Sequence, residues 1–232
     1  MDSISFKVVD FGIQLAVILF AISFHESAHA YSAFKLGDPT AKDLGRISLN
    51  PIRHLDPFGS VLLPLMVYIL SAGQMIFGAA KPTPVDLRNT KNPRLANLVV
   101  SAAGPLSNFF LATLSLAVLL VIKKVAPEAI VQLAYALQKA GFAKGALAPV
   151  VYVLFYFTMV NVALGVFNLI PIPPLDGSGV AISLLGESAA RAYASIARYG
   201  FLILMALIYF GALGWVFRPI LIFLQAVIFG GL

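Results

Sequence analysis

The stretch FAISFHESAHAYSAFK, residues 20–35, places two histidines and a glutamate inside an apolar run that begins at Phe11. Within it, His25, Glu26 and His29 form the pattern H-E-x-x-H. On a helix, residues four apart lie on one face, so the two imidazoles can bind one Zn²⁺. Glu26 projects to the side, where it can take a proton from a metal-activated water without binding the metal. Ionisable residues within an apolar span are costly and usually functional, so the pattern predicts a catalytic zinc site rather than a polar helix end.

The composition around this motif is typical of a membrane protein. Of the 232 residues, 60% are hydrophobic and 11% are charged, whereas soluble domains carry about 25% charged residues. A soluble fold would expose more apolar surface than monomers tolerate, so we expect contact with a lipid bilayer. The net charge of +6 comes from basic residues spread among loops, which fits membrane topology and argues against nucleic-acid binding. Cysteine is absent, so any metal must be bound by His, Asp or Glu.

Three apolar spans are long enough to cross a hydrocarbon core of about 30 Å as helices. They cover residues 11–35, 95–122 and 149–170, approximately. Residues 199–232 are also apolar and form either one long tilted span or a span with a return. The predicted fold class is an all-α polytopic membrane protein, with a three-helix catalytic core and an additional C-terminal membrane helix or helices.

Charge predicts that residues 59–80 do not form a complete span. The loops 35–57 and 81–95 each carry four Lys or Arg residues, so the positive-inside rule places both in the cytoplasm. A complete helix through 59–80 would put them on opposite sides. Because breakers such as Pro64 and Gly78 interrupt the segment, it can enter and leave on one face. Irregular backbone at membrane depth must be satisfied by protein or a water-filled cavity, so we expect this re-entrant segment to line the site.

Asp176 is the residue that fits a third ligand position. A tetrahedral catalytic zinc needs three protein ligands and an open position, and no other His lies in a span. Glu128 and Glu187 lie in loops, whereas Asp176 follows the uncharged 149–170 span within PIPPLDG. The prolines cannot continue a regular helix, and Gly177 allows a close backbone approach. The alternative is that Asp176 only caps the helix that follows, a position that Asp favours.

These motifs together resemble the site-2 protease family of intramembrane zinc metalloproteases. The matching stretches are FHESAH on the first span, AGPLSN on the second and FNLIPIPPLDG on the third. GRISLNPIRHLDPFG and AKPTPV also look like the compact bacterial and archaeal branch of that family. The resemblance implies that His25, His29 and Asp176 bind zinc, that Glu26 is the catalytic base, and that the substrates are transmembrane helices.

The resemblance also implies a small strand-like, re-entrant structure beside the cleft. We expect residues 1–232 to form a single integral membrane protease domain, without the PDZ or CBS domains of other branches. The motif lies about 9–15 Å below the cytoplasmic surface at about 1.5 Å per residue, so the active site is expected inside the cell membrane near that side. A helical substrate must unwind to be cleaved, and a strand edge at 44–50 or 74–85 would bind it by β-augmentation.

Asparagines near the predicted site have two possible roles. The resemblance implies that Asn168 contacts the substrate, where its amide can hold an unwound strand or stabilise the oxyanion. The alternative for Asn168 is a packing hydrogen bond between helices. The same alternative applies to Asn161, which lies earlier on the same face of the span. We expect Asn108 and its small neighbours to allow close helix packing. His54, a lone histidine in a loop, is expected to be structural or hydrogen-bonded to Asp56 rather than a ligand.

Two other functions compete with a protease. A metal transporter would need polar groups distributed along a path through the membrane, whereas the candidate ligands cluster at one depth and the runs 111–122 and 150–160 contain no His or carboxylate. A scaffold that only holds a metal would not need the carboxylate of Glu26. The sequence therefore favours an enzyme.

Overall fold

Three long helices form the centre of the molecule. The computed structural model describes residues 3–71, 76, 78–139, 141 and 145–231. Short 3-10 turns at Pro51–Arg53 and Leu87–Asn89 and a π-helical stretch at Pro57–Leu62 accompany the α-helices. The α-helices are α1 (Ser3–Lys35), α2 (Thr40–Asp43), α3 (Leu63–Leu70), α4 (Pro93–Val125), α5 (Pro127–Lys139), α6 (Ala148–Asn168), α7 (Asp176–Leu184), α8 (Glu187–Ala197), α9 (Gly200–Tyr209) and α10 (Leu213–Phe229).

The three long helices correspond to the three predicted spans. Those long and apolar enough to cross a membrane are Ser5–Lys35, Pro93–Val125 and Ala148–Asn168. They form α1, α4 and α6, which pack against one another, and α4 also packs on α7. The part of the chain that the structure describes contains no β-strand, so the predicted all-α polytopic class is confirmed.

The predicted re-entrant segment consists of a helix and an extended return rather than strands. Asp56 caps the helix by accepting from Gly59 N at 2.6 Å, and Pro57 occupies the first turn, a combination that favours helix initiation. The helix runs back along α1 until the Tyr68 hydroxyl donates to Asp10 at 2.8 Å. Residues 78–86 then return without regular secondary structure. The rest of the predicted segment, 72–75 and 77, lies outside the described residues.

Asp38 joins the loops at the two ends of this segment. Its buried carboxylate accepts hydrogen bonds from Thr40, from the Asn89 side chain at 2.8 Å and from Asp86 N at 2.7 Å. Burial alone would raise the pKa of Asp38, but these hydrogen bonds hold it below its usual value. Because Asp38 follows α1 and Asn89 precedes α4, the end of α1 and the start of α4 lie at one face of the bundle.

The apolar C-terminal stretch passes the bundle once, as two helices. At the start of α9, Gly200 packs so closely against Pro173 that a Cβ would overlap the Pro173 carbonyl oxygen. At the far end, Lys123 Nζ donates to carbonyls in and after the last turn of α10 at 2.9 and 2.7 Å. A turn at Gly211, with φ 69°, separates the two helices. Within the predicted segment 199–232, α9 and α10 therefore lead from the Pro-rich turn after α6 to the opposite end of α4.

The apolar core lies at this opposite end, where α4, α5, α6 and α10 meet. α5 supplies Ile130 and Leu133 to it, both fully buried. Large apolar side chains elsewhere, such as Phe110 and Trp215, are exposed, as expected for a surface that faces lipid. The fully or almost fully buried members of this core are Leu119, Ile130, Leu133, Val151 and Ile228.

Candidate metal centre

Two histidines of α1 and the first residue of α7 bring their ligand atoms together. His25 Nε2 lies 3.0 Å from His29 Nε2 and 3.0 Å from Asp176 Oδ2. The distance from His29 Nε2 to Asp176 Oδ2 is 3.3 Å. Both histidines are buried. Two histidines one helical turn apart and an aspartate distant in the sequence thus form a group that could hold one metal ion.

The partner of each Nδ1 atom determines which nitrogen of the imidazole ring is protonated. His29 Nδ1 lies 2.6 Å from the Val100 carbonyl oxygen, which can only accept. His25 Nδ1 lies 2.6 Å from Asn108 Oδ1. Each Nδ1 therefore carries a proton, and when the ring is neutral its Nε2 presents a lone pair towards Asp176. Metal-binding histidines usually donate their other N–H in this way.

The orientation of the Asn108 amide supports this assignment. Asn108 Nδ2 faces two oxygens, donating to Asn161 Oδ1 at 2.9 Å and to Ala21 O at 3.3 Å. Asn161 in turn donates to Phe157 O at 2.8 Å, so its own amide is fixed as well. Asn108 and Asn161 are fully buried. The chain from α6 through α4 to His25 therefore determines which nitrogen of His25 is free.

The donor set fits a zinc ion. Asp176 Oδ2 is buried, and it lies 3.0 and 3.3 Å from the two Nε2 atoms. When both rings are neutral, these three acceptor atoms repel one another unless a cation neutralises them. The separations of 3.0, 3.0 and 3.3 Å are close to the edge of about 3.3 Å expected for a tetrahedron with bonds of about 2.0–2.1 Å. Gly104 leaves the space open, since a Cβ there would overlap both Nε2 atoms.

Asp176 is positioned by the turn that follows α6. Asp176 is the first residue of α7, whose N-cap residue is Leu175, and no side chain caps this helix end. The alternative role of Asp176 as a helix cap thus has no hydrogen bond to support it. Gly177 packs against the end of α6, where a Cβ would overlap the Leu169 carbonyl oxygen. This close approach is the one that the sequence predicts for Gly177.

Glu26 lies next to this group and is held by a residue that sequence reasoning missed. Its carboxylate Oε2 accepts from Thr83 N at 2.8 Å, and its backbone carbonyl accepts from Thr83 Oγ1 at 3.1 Å. Thr83 belongs to AKPTPV in the extended return of residues 78–86. The motif was visible in the sequence, but the contact spans 57 positions and leaves no local pattern.

The remaining predicted residues make other contacts. Asn168 Nδ2 donates to Leu164 O in its own helix at 3.0 Å, and its contact with substrate stays a prediction. His54 is buried, and its Nε2 lies 2.8 Å from Ser48 O rather than on the expected partner Asp56. The sequence assigned Asn108 to helix packing, whereas its amide is the partner of a candidate ligand.

Comparison with known proteins identifies the family. The model of Peptidase family M50 matches residues 13–210. The chain belongs to peptidase family M50. YwhC of Bacillus subtilis is 39% identical over 193 residues, which cover 82% of this chain and 78% of that protein. Rip2 of Mycolicibacterium smegmatis is 30% identical over 211 residues, which cover 89% of this chain and 72% of that protein. Both relatives carry names of zinc metalloproteases, and no solved structure matches the chain significantly.

The M50 assignment confirms the predicted resemblance to the site-2 protease family. The protein is accordingly a zinc metalloprotease and a multi-pass membrane protein whose family acts on proteins within the membrane. Zinc is its cofactor, and His25, His29 and Asp176 form the group in the structure that could bind it.

Proposed function

We propose that this M50 protease is an intramembrane endopeptidase that cleaves transmembrane segments, with Glu26 as general base and His25, His29 and Asp176 as the zinc ligands. One observation carries the proposal. The ligand atoms of His25, His29 and Asp176 converge within 4.8 Å of one another, with both histidines on a helix long and apolar enough to span a membrane and with the Glu26 carboxylate outside the group. A site that only stored metal would have no use for that extra carboxylate.

The division of labour follows from the chemistry of each group. When bound, zinc supplies a Lewis acid that polarises the scissile carbonyl and makes water acidic enough to attack near neutral pH. Glu26 accepts a proton from the attacking water as the water oxygen forms a bond to the carbonyl carbon. Glu26 then delivers that proton to the amide nitrogen as the C–N bond breaks, so the products are a carboxylic acid and an amine. Asp176 offsets part of the dication's charge where water is scarce.

The location of the site favours membrane-embedded substrates. His25 and His29 lie within the apolar span Ser5–Lys35, so a scissile bond must reach them from within the bilayer. The carbonyls of a transmembrane helix are occupied by hydrogen bonds, so the substrate must unwind locally. In this proposal Asn168 contacts the unwound strand.

Membrane orientation is part of the same proposal. The whole chain forms one membrane domain in the cell membrane, and the face that carries Asp38 is cytoplasmic, since the loops there hold eight Lys or Arg residues from Lys35 to Arg94. The chain has no cysteine, so Lys42→Cys and Lys91→Cys provide single labelling sites. Both should react with an impermeant thiol reagent from the cytoplasmic side only. Reaction from opposite sides would contradict the re-entrant topology.

The deciding experiment combines substrate cleavage with zinc analysis. Detergent-purified protein is incubated with a set of single-span membrane proteins, with a zinc chelator, and with zinc restored. We expect cleavage within the apolar segment, loss with the chelator and recovery with zinc. Glu26→Gln should keep its zinc and lose at least about 100-fold in cleavage rate, the usual contribution of a general base. Substantial turnover by Glu26→Gln would exclude the proposed role, and cleavage only of soluble peptides would exclude the substrate class.

A further inference from the structure

The extended return of residues 78–86 crosses α1 at the proposed general base. Thr83 makes two hydrogen bonds there, from its N–H to Glu26 Oε2 at 2.8 Å and from its hydroxyl to Glu26 O at 3.1 Å. The first bond restrains the carboxylate, and the second restrains the backbone from which that side chain extends. One residue thus fixes both ends of the Glu26 side chain.

The prolines on either side of Thr83 restrict the orientation of its backbone N–H. Pro82 and Pro84 have no N–H, so Thr83 supplies the only backbone donor between positions 82 and 84. A residue before a proline is restricted to extended conformations, and this applies to both Lys81 and Thr83. The segment is therefore stiff, and the direction of the Thr83 N–H is set by the local sequence.

Contacts on both sides hold the return in place. Before Thr83, Ala79 N donates to Gly59 O at 2.8 Å and Lys81 N donates to His54 O at 2.9 Å. After Thr83, Asp86 N donates to Asp38 Oδ2 at 2.7 Å. Thr83 is therefore supported by the re-entrant helix on one side and by the loop after α1 on the other.

We propose that Thr83 is a positioning residue for Glu26. A glutamate side chain has three rotatable bonds, and a base contributes to catalysis only when it lies within hydrogen-bond reach of the proton it accepts. The Thr83 N–H selects one arrangement of the carboxylate before substrate arrives, so less ordering is left for the reaction itself. The inference rests on the proposed function, because it assigns Thr83 a role through Glu26 and none in zinc binding or substrate binding.

Three substitutions at one position test the two hydrogen bonds. Thr83→Ser keeps both donors, Thr83→Val removes the hydroxyl, and Thr83→Pro removes the hydroxyl and the N–H. Thr113→Val is the matched control, since this substitution removes a comparable hydroxyl hydrogen bond to Phe109 O on the exposed side of α4. For each purified variant kcat, KM, bound zinc and melting temperature are measured with one single-span substrate.

The expected pattern is a graded fall in kcat alone. Thr83→Val loses a neutral hydrogen bond, which should lower kcat about 2- to 10-fold. Thr83→Pro also loses the hydrogen bond to the carboxylate, which should lower kcat by a further factor of about 10 or more. Thr83→Ser and Thr113→Val should stay within about twofold of the wild type. KM and bound zinc should not change. A purely structural residue would instead lower zinc content and melting temperature together with kcat.

Other patterns would overturn the inference. It fails if Thr83→Val keeps the wild-type kcat, if Thr83→Ser falls as far as Thr83→Val, or if KM rises while kcat is unchanged. If Thr83→Pro does not fold, the comparison of Thr83→Ser with Thr83→Val decides alone. An inactive Glu26→Gln with a fully active Thr83→Val would refute only this inference, whereas an active Glu26→Gln would refute the proposed function itself.

Discussion

The start of α1 carries one carboxylate, Asp10, and the middle of α1 faces another, Asp176, and the two differ in what surrounds them. Asp10 is buried and accepts from Gln14 Nε2 at 2.9 Å, Tyr68 OH at 2.8 Å and Tyr152 OH at 2.6 Å. Each of these three groups donates a hydrogen bond to Asp10. Asp176 Oδ2 is also buried, but it has no hydrogen-bond partner and lies 3.0 and 3.3 Å from two imidazole nitrogens.

The difference separates a structural carboxylate from a ligand. A buried acceptor surrounded by donors is satisfied and stabilises the fold by joining the elements that provide them. A buried acceptor that faces further lone pairs is satisfied only by a cation, so its energy depends on metal binding. Asp10 joins α1, α3 and α6 at the end of the bundle remote from Asp38, whereas Asp176 brings α7 to the histidines of α1. The same substitution should therefore mainly lower zinc affinity at Asp176 and mainly lower the stability of the fold at Asp10.

The largest difference in zinc affinity is expected between the variants Asp176→Asn and Asp10→Asn. In Asp176→Asn an anionic oxygen is lost from the ligand set, so zinc affinity should fall by more than about 100-fold, the upper cost of losing even an outer partner, and cleavage should stop. Asp10→Asn should keep full zinc content. Metal analysis and substrate cleavage on the two purified proteins check this prediction. Wild-type zinc and activity in Asp176→Asn would contradict the ligand assignment.

Hydropathy predicted the three long helices, and motif spacing predicted that the two histidines meet. The three spans appear as α1, α4 and α6 because each is a long run of apolar residues, a property of the local sequence. His25 and His29 meet because they are one helical turn apart. The convergence of Asp176 with them is a long-range contact, and it was inferred from the small number of carboxylates available in the core.

Contacts between distant polar residues were not predictable in the same way. The apolar run begins at Phe11, so hydropathy does not single out Asp10, and its partner Tyr152 lies 142 positions away. The contact of Thr83 with Glu26 also joins separate elements. The strand-like interpretation of the re-entrant segment failed among the described residues for a local reason. Asp56 and Pro57 start a helix, and the prolines of AKPTPV cannot donate to a strand ladder.

A smaller effect is expected when a partner of a ligand is removed instead of the ligand. Asn108→Ala leaves the Nδ1–H of His25 without an acceptor, so the ring is free to turn or change tautomer. Zinc affinity should fall by about 10- to 100-fold, as for other outer partners of metal-binding histidines. Competition with a calibrated chelator measures it.

Asn168→Ala is the matched control for that change. Asn168 donates to its own helix, so its removal should leave zinc affinity within about twofold of the wild type, well below the effect of losing an outer partner. If Asn168 contacts the substrate as predicted, KM should rise in this variant. Equal zinc affinities for Asn108→Ala and the wild type would show that the hydrogen bond to His25 does not support the site.

The smallest effect on the metal centre, and the clearest one on the fold, is expected at Asp10. Asp10→Asn keeps the shape of the side chain but turns one acceptor oxygen into a donor that faces Tyr68, Tyr152 or Gln14. Stability should fall by about 1–3 kcal/mol, the cost of leaving a buried polar group unsatisfied. Tyr68→Phe removes a single donor and should cost about 1 kcal/mol. Thermal unfolding in detergent measures both losses while zinc content serves as the internal control. If Asp10→Asn loses zinc in step with stability, the two carboxylates are coupled, and Asp10 supports the metal centre as well as the fold.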